Sequence, residues 1–492
     1  MQRIFAQRGK TNWMKVIFNI ICAIALVVSA NAQTKSKRPK AKRVNSQFSL
    51  KIEGYDAFVN RVIATRDGGA LLLGYIQKEG GNQEAIAIKT LGNGRVLWAK
   101  RINTGGNAQL WDAGLTREGY LLCGFTQTGN NSDALLVLLD FRGNPRWVKT
   151  IGSSADEKIF DMFITRTLDF ILLGMTSSGV GKGDVLAIKI NSKGELQWAK
   201  AFGSTELDIA YSGVQLPDKG FLFAGYTRSF TDNGNWDIML LKTDQNGLIE
   251  WIQTFGTDKN ETARSLVLSK DGEIILTGFT LGGGHGFWDG FLAVTDLNGN
   301  LKWAKSIGTS GDDRIYDVTL TPSGEIALAG QMSGLSPIGS ASLLLTDRSG
   351  NLQWANVYAG NSFLGIGTYK DSALTGAGDV YSTGQTYTLW ARVPYKKKLK
   401  CKNDSIMPYI KDINFNSLLG LFEATPLNNI TERTLSIQPE DLTVKIEDLC
   451  AEKSKPKTGK KPTKGTTSEQ KAKSKATSSQ KAPNKTTSPA KK

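Results

Sequence analysis

The sequence is organised by a repeat of about fifty residues, and such self-similarity indicates several copies of one supersecondary unit. One marker of the unit is a tryptophan that follows a polar turn, found at Trp98, Trp147, Trp198, Trp251, Trp303 and Trp354. The other is a glycine that follows an apolar run, found at Gly74, Gly124, Gly174, Gly225, Gly278, Gly330 and Gly384. The chain therefore holds seven glycine markers and six tryptophan markers, a mismatch that bears on how the array ends.

Each unit contains four short apolar runs rich in β-branched and aromatic residues. In the fourth unit they are residues 209–216, 220–227, 237–243 and 249–255. Turn residues separate the runs, and Asn246-Gly247 is typical of a hairpin in which both turn residues have positive φ. No helical stretch lies between the runs. Four strands at this period predict an all-β fold built from four-stranded β-propeller blades.

The missing seventh tryptophan strand has a counterpart at the beginning of the propeller. In the segment from Phe48 to Gly54, Phe48 aligns with Trp98 and Ile52 aligns with Ile102. The last unit, which begins near residue 364 and includes residues 390–393, lacks an outer strand of its own. We therefore predict seven blades and a ring closed by the N-terminal strand, which removes an open sheet edge. Six blades, with the last segment outside the ring, is the alternative.

The units resemble those of secreted β-propeller repeat proteins of bacteria and archaea. The matching residues are Asp67-Gly-Gly69, Gly74-Tyr75, Asp289, Asp296, Gly299-Asn300 and Trp303. This resemblance implies the fold and leaves the function open, because propellers serve many roles. The same phrase is similar, more weakly, to the tryptophan-docking motif of quinoprotein dehydrogenases and to the propeller of an outer-membrane assembly factor. A quinoprotein site would need a vicinal cysteine pair and a cluster of acid and amide residues, which the sequence does not offer.

The first residues are typical of a secretory leader. Residues 16–30 form an apolar run too short for a comfortable membrane span, basic residues precede it, and Ala30-Asn31-Ala32 fits signal peptidase. We expect a signal peptide at 1–32, a basic arm at 33–47 and the propeller at 48–395. An N-terminal membrane anchor is the alternative. The mature protein is then expected in the periplasm, on the outer-membrane surface or outside the cell, without a transmembrane span.

The positive charge is concentrated at the ends of the chain. Residues 33–43 hold six basic side chains and no acidic one, and residues 451–492 hold thirteen lysines against two glutamates. Residues 44–391 are mildly acidic, which argues against specific nucleic-acid binding. The 451–492 segment lacks large apolar residues and is predicted to be disordered. We expect both ends to bind an anionic envelope surface, such as lipopolysaccharide or a wall polymer, in a salt-dependent manner.

Between the propeller and this tail lies a C-terminal extension, residues 396–450. It contains strand-like runs at 434–438 and 442–446. Cys401 and Cys450 bracket it, and in an exported chain this pattern predicts a disulfide. Cys123 lies in an apolar run and is expected to be a buried free thiol.

Several recurring residues could belong either to a site or to the blade. The six tryptophans are expected to pack between adjacent blades, because a residue needed in every unit serves the unit. Asp133, Asp184, Asp237 and Asp289, with Glu84 in the first unit, begin third strands and are expected to cap turns rather than form a cation-binding ring. The pairs Asp156-Glu157 and Asp312-Asp313 are expected to be solvated acidic turns, with a calcium site as the alternative.

The glycine-rich stretch from Leu281 to Trp288 joins two predicted strands, so a phosphate-binding loop is not expected there. His285 and Trp288, at its tip, are the candidate ligand-binding residues. The sequence predicts no catalytic residue, no metal and no cofactor. We interpret the chain as a non-enzymatic module that binds a protein or glycan at the cell envelope. The alternative is an enzyme with its site in the central channel: a quinoprotein-like oxidoreductase, a lyase or a hydrolase.

The lining of the channel separates these two interpretations. A cluster of acid and base groups that converges on the channel mouth would favour the enzyme. A channel lined by small or apolar residues, together with an aromatic-rich face, would favour the binding module.

Overall fold

The structure is a computed structural model. It describes residues 46–231, 234–284, 286–333, 340–358, 360–369, 373–382 and 385–394. Within the C-terminal extension it describes residues 403–405, 409–412, 416–419, 423–426, 431–435, 440–441 and 445–448. The described residues form strands, turns and bends, and none of them belongs to a helix that could cross a membrane. The expected leader, most of the basic arm and the Lys-rich tail lie outside the described residues.

Blades 1, 2 and 3 each use four consecutive antiparallel strands. Blade 1 contains β2 (Asp56–Ala64), β3 (Ala70–Gln77), β4 (Gln83–Thr90) and β5 (Val96–Ile102). Blade 2 contains β6 (Asn107–Leu115), β7 (Gly119–Gln127), β8 (Ser132–Asp140) and β9 (Pro145–Gly152). Blade 3 contains β10 (Glu157–Ile164), β11 (Phe170–Thr176), β12 (Asp184–Ile190) and β13 (Leu196–Gly203).

Blades 4, 5 and 6 repeat this order. Blade 4 contains β14 (Asp208–Gln215), β15 (Phe221–Thr227), β16 (Asp237–Thr243) and β17 (Ile249–Gly256). Blade 5 contains β18 (Glu261–Leu268), β19 (Ile274–Thr280), β20 (Asp289–Thr295) and β21 (Leu301–Gly308). Blade 6 contains β22 (Asp313–Leu320), β23 (Ile326–Met332), β24 (Ala341–Thr346) and β25 (Leu352–Tyr358).

Blade 7 is built from both ends of the propeller sequence. Its inner strands are β26 (Ser362–Tyr369), β27 (Ala373–Ser382) and β28 (Gln385–Pro394), and the N-terminal strand β1 (Ser46–Lys51) pairs with β28. In this pairing Phe48 lies opposite Trp390. Lys89 lies opposite Trp98 in blade 1, and when the blades are aligned on Gly74 and Gly378 the counterpart of Lys89 is Arg392, which lies opposite Ser46. The N-terminal strand therefore closes blade 7 as predicted, but the predicted alignment of Phe48 with Trp98 was wrong by two residues. The chain is a seven-bladed β-propeller. The alternative of six blades was wrong.

The hairpins differ from the sequence prediction in their detail. In the turn between β16 and β17 only Gly247 has positive φ, at 72°, whereas Asn246 does not. The Asp244 carboxylate accepts the backbone N–H groups of Asn246 and Leu248, both at 2.8 Å. The register also shifts by one residue between Lys242 and Thr243. The hydrogen bonds to the Asp244 carboxylate therefore hold the turn without a second residue of positive φ, and a β-bulge brings the two strands back into pairing.

The seventh glycine marker was also placed wrongly. At Gly74 an added Cβ would lie 1.9 Å from the carbonyl oxygen of Phe58, so the first two strands approach too closely for any side chain. In blade 7 the same contact, 1.9 Å to the Ser362 oxygen, belongs to Gly378. Gly384 lies outside the described residues. The last repeat is thus shorter than the sequence suggested.

The C-terminal extension adds a fifth strand to the outer edge of every blade. These strands are β29 (Asn403–Ser405), β30 (Tyr409–Asp412), β31 (Asn416–Leu419), β32 (Glu423–Pro426), β33 (Thr431–Leu435), β34 (Glu440–Asp441) and β35 (Lys445–Asp448). In chain order they pair with blades 6, 5, 4, 3, 2, 1 and 7, so the segment runs backwards around the ring. We call residues 403–448 the belt. It covers the edges that outer strands would otherwise expose.

The hydrophobic core is divided among the blade interfaces. Seven clusters of buried side chains each combine residues of two adjacent blades. The cluster that joins blade 7 to blade 1 contains Leu50 of β1, Trp390 of β28 and Val59 of β2, and all three are buried. The closing strand therefore belongs to the core and not only to a sheet edge.

Candidate functional site

The first strand of each blade lies innermost, because these strands contact one another in sequence around the ring. Each of them contains a β-bulge, where one extra residue interrupts the pairing with the second strand. The residues at the bulges are Asn60, Trp111, Phe160, Tyr211, Arg264, Tyr316 and Leu364. All seven are partly exposed, and the residue before each of them is buried. The bulges therefore aim one side chain from each blade at the central channel.

Three of these side chains form a continuous aromatic arc, which we define as Trp111, Phe160 and Tyr211. The Trp111 and Phe160 ring centroids lie 5.2 Å apart, and those of Phe160 and Tyr211 lie 5.3 Å apart. These separations and tilted orientations are favourable for aromatic pairs. Because the three residues come from blades 2, 3 and 4, the arc follows the channel wall across three blade interfaces.

The arc lies toward one face of the ring. This face carries the connections from the second to the third strand of each blade and from one blade to the next, and we call it the loop face. Tyr211 contacts Tyr226 near the end of β15, with centroids 6.2 Å apart. Tyr226 in turn stacks on Trp236 in the following loop, at 5.1 Å. The aromatic surface therefore continues outward from the channel onto blade 4.

Amide side chains lie beside the arc. The Trp111 Nε1 donates to Gln109 Oε1 at 3.1 Å, and the Gln109 Nε2 donates to Gln83 Oε1 at 2.6 Å. Asn60 fixes the neighbouring bulge by donating to the Leu110 carbonyl at 2.9 Å. The channel wall thus combines aromatic faces with hydrogen-bonding groups, a combination found in ligand sites.

Arg264 follows Tyr211 around the channel. Its guanidinium carbon lies 3.8 Å from the centroid of the Tyr211 ring, within the range of a cation–π contact. It is the one charged residue among the seven at the bulges. The aromatic arc therefore ends, on the side of blade 5, at a positive charge.

One residue beyond each bulge lies a second set of side chains, which we call the hub layer. It consists of Arg61, Asp112, Asp161, Ser212, Ser265, Asp317 and Gly365. Its acidic members accept backbone N–H groups from the next blade: Asp112 from Met162 at 3.1 Å, Asp161 from Gly213 at 2.8 Å and Asp317 from Ile366 at 2.8 Å. These hydrogen bonds join neighbouring blades near the axis.

Arg61 neutralises part of the hub layer. Its Nη1 lies 2.9 Å from Asp317 and its Nε lies 3.3 Å from Asp112. Gly365 has no side chain and lies between blades 6 and 1, which leaves Arg61 room to reach Asp317. Burial raises the pKa of Asp161, the nearby Asp112 carboxylate adds to this, and Arg61 opposes it. The hub layer is therefore a cluster of buried carboxylates beneath the arc. Its hydrogen bonds between blades give these carboxylates a structural role.

Trp288, a sequence candidate, lies on the loop face of blade 5. Its ring contacts Phe279 edge to face at 5.2 Å, and the Arg314 guanidinium lies 5.5 Å from its centroid. Phe279 also approaches Tyr316, one of the residues at the bulges, at 6.1 Å. The second candidate, His285, lies outside the described residues. Trp288 thus belongs to an aromatic group at the edge of the channel surface and not to the arc itself.

The repeated tryptophans lie at the opposite face of the ring, against the turns of the next blade. An added Cβ at Gly143 would lie 2.7 Å from the Trp98 ring, and one at Gly350 would lie 2.9 Å from the Trp303 ring. The same relation holds for the pairs Trp147–Gly194, Trp198–Gly247 and Trp251–Gly299. These rings fill the space between blades and offer no open platform to a ligand.

Asp184 and Asp289 cap turns as expected, whereas Glu84 forms an ion pair with Arg101 at 3.3 Å. Some of the repeated acidic residues are also far more buried than the sequence suggested. Asp184 accepts the Val180 N–H at 2.6 Å, as expected for a cap. Glu157 and Asp313, expected in solvated turns, are fully buried. Glu157 accepts both the N–H of Ser153 at 2.9 Å and its hydroxyl at 2.7 Å. Burial raises the Glu157 pKa, and these hydrogen bonds oppose the shift. Hydroxyl groups in these turns, such as that of Ser153, donate the hydrogen bonds that allow a carboxylate to be buried, and the sequence pattern did not reveal them.

No group of three or more His, Cys, Asp or Glu side chains in the described part of the chain is arranged to hold a metal ion. Cys123 is buried and free, as expected. Cys401 and Cys450 lie outside the described residues, so their disulfide stays a prediction.

A cavity of about 340 Å³ lies on the face opposite the loop face, between blades 5 and 6. Its floor is apolar, with Ile275 and Ile326 among the lining residues. An ion pair of 2.6 Å between Arg348 and Asp271 spans its rim. The cavity is large enough for a small molecule, but Arg348, Asp271 and Glu273 in its lining are already in ion pairs.

The sequence matches no protein-family model and no curated protein. Among solved structures it is similar to a protein of unknown function from Dyadobacter fermentans, with 11% identity over 72% of this chain and 99% of that one and a TM-score of 0.40. It is also similar to the quinohemoprotein alcohol dehydrogenase of Comamonas testosteroni, with 10% identity over 73% and 78% and a TM-score of 0.42. A third is Sqt1 from Chaetomium thermophilum, with 14% identity over 68% and 82% and a TM-score of 0.39. These likenesses concern the fold and assign no activity.

The sequence analysis missed the residues at the bulges. When the units are aligned on their glycine markers, this position varies in chemistry from Asn to Trp to Arg, directly after a position that is apolar in every blade. A position that every blade keeps serves the blade, whereas a channel-facing position whose chemistry varies among the blades is free to serve a ligand. That contrast was available from the repeat alignment.

Proposed function

We propose that this chain is an exported, non-enzymatic β-propeller that binds a glycan at the loop face of its central channel. The observation that carries the proposal is the aromatic arc of Trp111, Phe160 and Tyr211, whose rings touch one another across three blades. Partly exposed rings in a concave position are the usual lining of a ligand site. The blade itself does not require them, because other blades have Asn60 or Leu364 at the same position.

The shape and chemistry of the arc favour a glycan over a protein surface. The three rings are partly exposed and lie on the innermost strands, so they suit a narrow ligand better than the broad patch that a stable protein interface needs. Pyranose rings present C–H faces that pack on aromatic rings and hydroxyls that bind amides. The amides of Gln109 and Gln83 beside Trp111 provide the latter contacts.

A binding experiment tests this site. Purified protein without residues 1–32 is applied to a glycan array, alongside the variants Phe160→Ala and Phe287→Ala. Phe287 is 69% exposed on a loop away from the arc, so its variant is the matched control. We expect glycan binding that Phe160→Ala abolishes and Phe287→Ala retains. Binding that survives Phe160→Ala, or an arc-dependent capture of an envelope protein without any glycan, would contradict the proposal.

We propose further that the Lys-rich ends hold the protein at an anionic envelope surface. The support is in the sequence, with basic side chains concentrated at 33–43 and 451–492 and a leader at 1–32. Two measurements test this. The N-terminus of the protein recovered from the cell envelope should be Gln33, and envelope binding should weaken at high salt and after removal of residues 451–492. Equal retention of the truncated protein would refute the tether.

One observation favours an enzyme as the second candidate. The hub layer places Asp112 and Asp161 beneath the arc, and the raised Asp161 pKa is a property that general acids share. If the protein is a glycan hydrolase, incubation with its bound glycan should yield shorter products, and Asp161→Asn should stop this while binding persists. We expect the glycan to remain intact, because each of these carboxylates already joins two blades.

A further inference from the structure

Arg264 differs from the other arginines that surround the channel. Arg61 forms ion pairs with Asp112 and Asp317, and Arg314 forms one with Asp312 at 3.2 Å. Among the described residues no carboxylate lies within ion-pair distance of Arg264. Its Nε is buried and has no hydrogen-bond partner. The protein thus holds, at the channel, a guanidinium that stacks on Tyr211 but whose Nε–H has no hydrogen-bond acceptor among the described residues.

A buried donor without a partner is unfavourable, and more so when it carries charge. Packing does not require a guanidinium at this bulge position, because Leu364 and Asn60 occupy the same position in other blades. A bound anion would remove the cost. The planar guanidinium presents parallel N–H donors that match a carboxylate, which makes arginine the usual partner of such groups.

Tyrosines surround this guanidinium. It lies over the Tyr211 ring, and its charge acts on the hydroxyls of Tyr226 and Tyr316. Burial raises the pKa of Tyr316, and the positive charges of Arg314 and Arg264 offset only part of this shift. Tyr316 therefore keeps its proton at neutral pH and can donate a hydrogen bond to an anion. The Tyr316 hydroxyl donates to Gln331 Oε1 at a long 3.3 Å, and Arg314 also hydrogen-bonds to this hydroxyl.

We propose that Arg264 is an anion subsite and that the glycan bound by the arc is acidic. A carboxylate of a uronic or similar sugar acid binds the Arg264 guanidinium, while neighbouring pyranose rings pack on Tyr211 and Phe160. The contiguity of Arg264, Tyr211 and Phe160 places charge recognition at one end of the aromatic surface. This inference rests on the proposed function and specifies its ligand class.

The test compares acidic glycans with neutral counterparts of the same shape. The array carries sugar acids beside their neutral or methyl-esterified forms. Calorimetry then measures the affinities of tetragalacturonate and its methyl ester if this pair binds. If it does not, the acid and neutral pair that binds most strongly on the array is used. The variants are Arg264→Gln, Arg264→Lys and, as a matched control, Arg348→Gln, which lies on the opposite face and is already paired with Asp271. Melting temperatures confirm that each variant is folded.

For wild-type protein we expect the acid to bind at least about tenfold more tightly than the ester, the effect of one charged hydrogen-bonded contact. Arg264→Gln should remove this preference, Arg264→Lys should keep part of it, and Arg348→Gln should leave it unchanged. Equal binding of acid and ester, or an acid preference that survives Arg264→Gln, would overturn the anion subsite and leave glycan binding standing. An array with no bound glycan at all would overturn both, starting with the proposed function.

Discussion

Leu50→Ala tests how the ring is closed. Leu50 is in β1, close to the N-terminal end of the propeller, yet it is 0% exposed and packs with Ile52, Val59 and Trp390. Removing a fully buried leucine side chain costs about 2–5 kcal/mol, because apolar contacts are lost and a cavity remains. The upper half of this range is expected here, since strands on both sides of β1 hold the backbone in place and limit collapse around the cavity. The same substitution in a loosely attached terminal strand would lower the free energy of unfolding much less, because such a strand contributes little to the core.

The assay is urea denaturation followed by tryptophan fluorescence, with two reference variants. Leu136→Ala removes an equally buried leucine in the middle of blade 2, and Leu248→Ala removes one that is 58% exposed. We expect Leu50→Ala to lower the unfolding midpoint as much as Leu136→Ala does. A midpoint indistinguishable from that of Leu248→Ala would show that β1 does not close the ring.

Three further predictions concern stability. Gly350→Ala should destabilise the protein by about 1–3 kcal/mol more than Gly54→Ala, because both glycines have positive φ but only Gly350 would press a Cβ against Trp303; thermal melts compare them. Burial raises the Asp379 pKa to about 7, so the folded state keeps a proton that the unfolded chain releases, and this group reduces stability as pH rises from about 4 to 7. Asp379→Asn should therefore match wild type at pH 4 and exceed it by about 1–3 kcal/mol at pH 8, with urea midpoints at the two pH values as the measurement. A chain ending at Pro394 should keep its blades and associate with concentration in light scattering, since the belt no longer covers the edges; a monodisperse product would contradict this.

The architecture could be predicted from the sequence because it is repeated. A blade is specified by local patterns, and seven copies of the pattern allowed even a degraded seventh unit to be recognised. The closing strand followed from one mismatch, six tryptophans against seven glycines, and Phe48 opposite Trp390 confirms it. Where the repeat weakened, the prediction weakened too: the seventh marker is Gly378 and not Gly384.

The belt could not be predicted in the same way. Its strands have between two and five residues, too few to show an alternating pattern. The two runs suggested by the sequence, 434–438 and 442–446, overlap β33 and β35 only in part. The pairing of each belt strand is decided by the outer edge of a blade distant in sequence. Such partners supply the backbone hydrogen bonds, so the short segments need no strong strand propensity of their own.

The candidate site depended on a feature that sequence periodicity hides. The sequence of a single inner strand mixes apolar and polar residues, and nothing in it marks the position at which a bulge shifts the register. The bulge rotates Phe160 and Tyr211 toward the channel and places Asp161 in the hub layer. The glycine-rich stretch suggested Trp288 and His285 instead, because loops are the usual location of binding residues.

The most direct measurement of the central claim is ¹⁹F NMR of protein labelled with 5-fluorotryptophan, with and without the bound glycan. Single Trp→Phe variants assign the signals of Trp111 in the arc and of Trp98 and Trp303 between blades. The account predicts that the ligand shifts the Trp111 signal and leaves the Trp98 and Trp303 signals in place. A ligand that shifts Trp98 or Trp303 and not Trp111 would show that the channel arc is not the binding site.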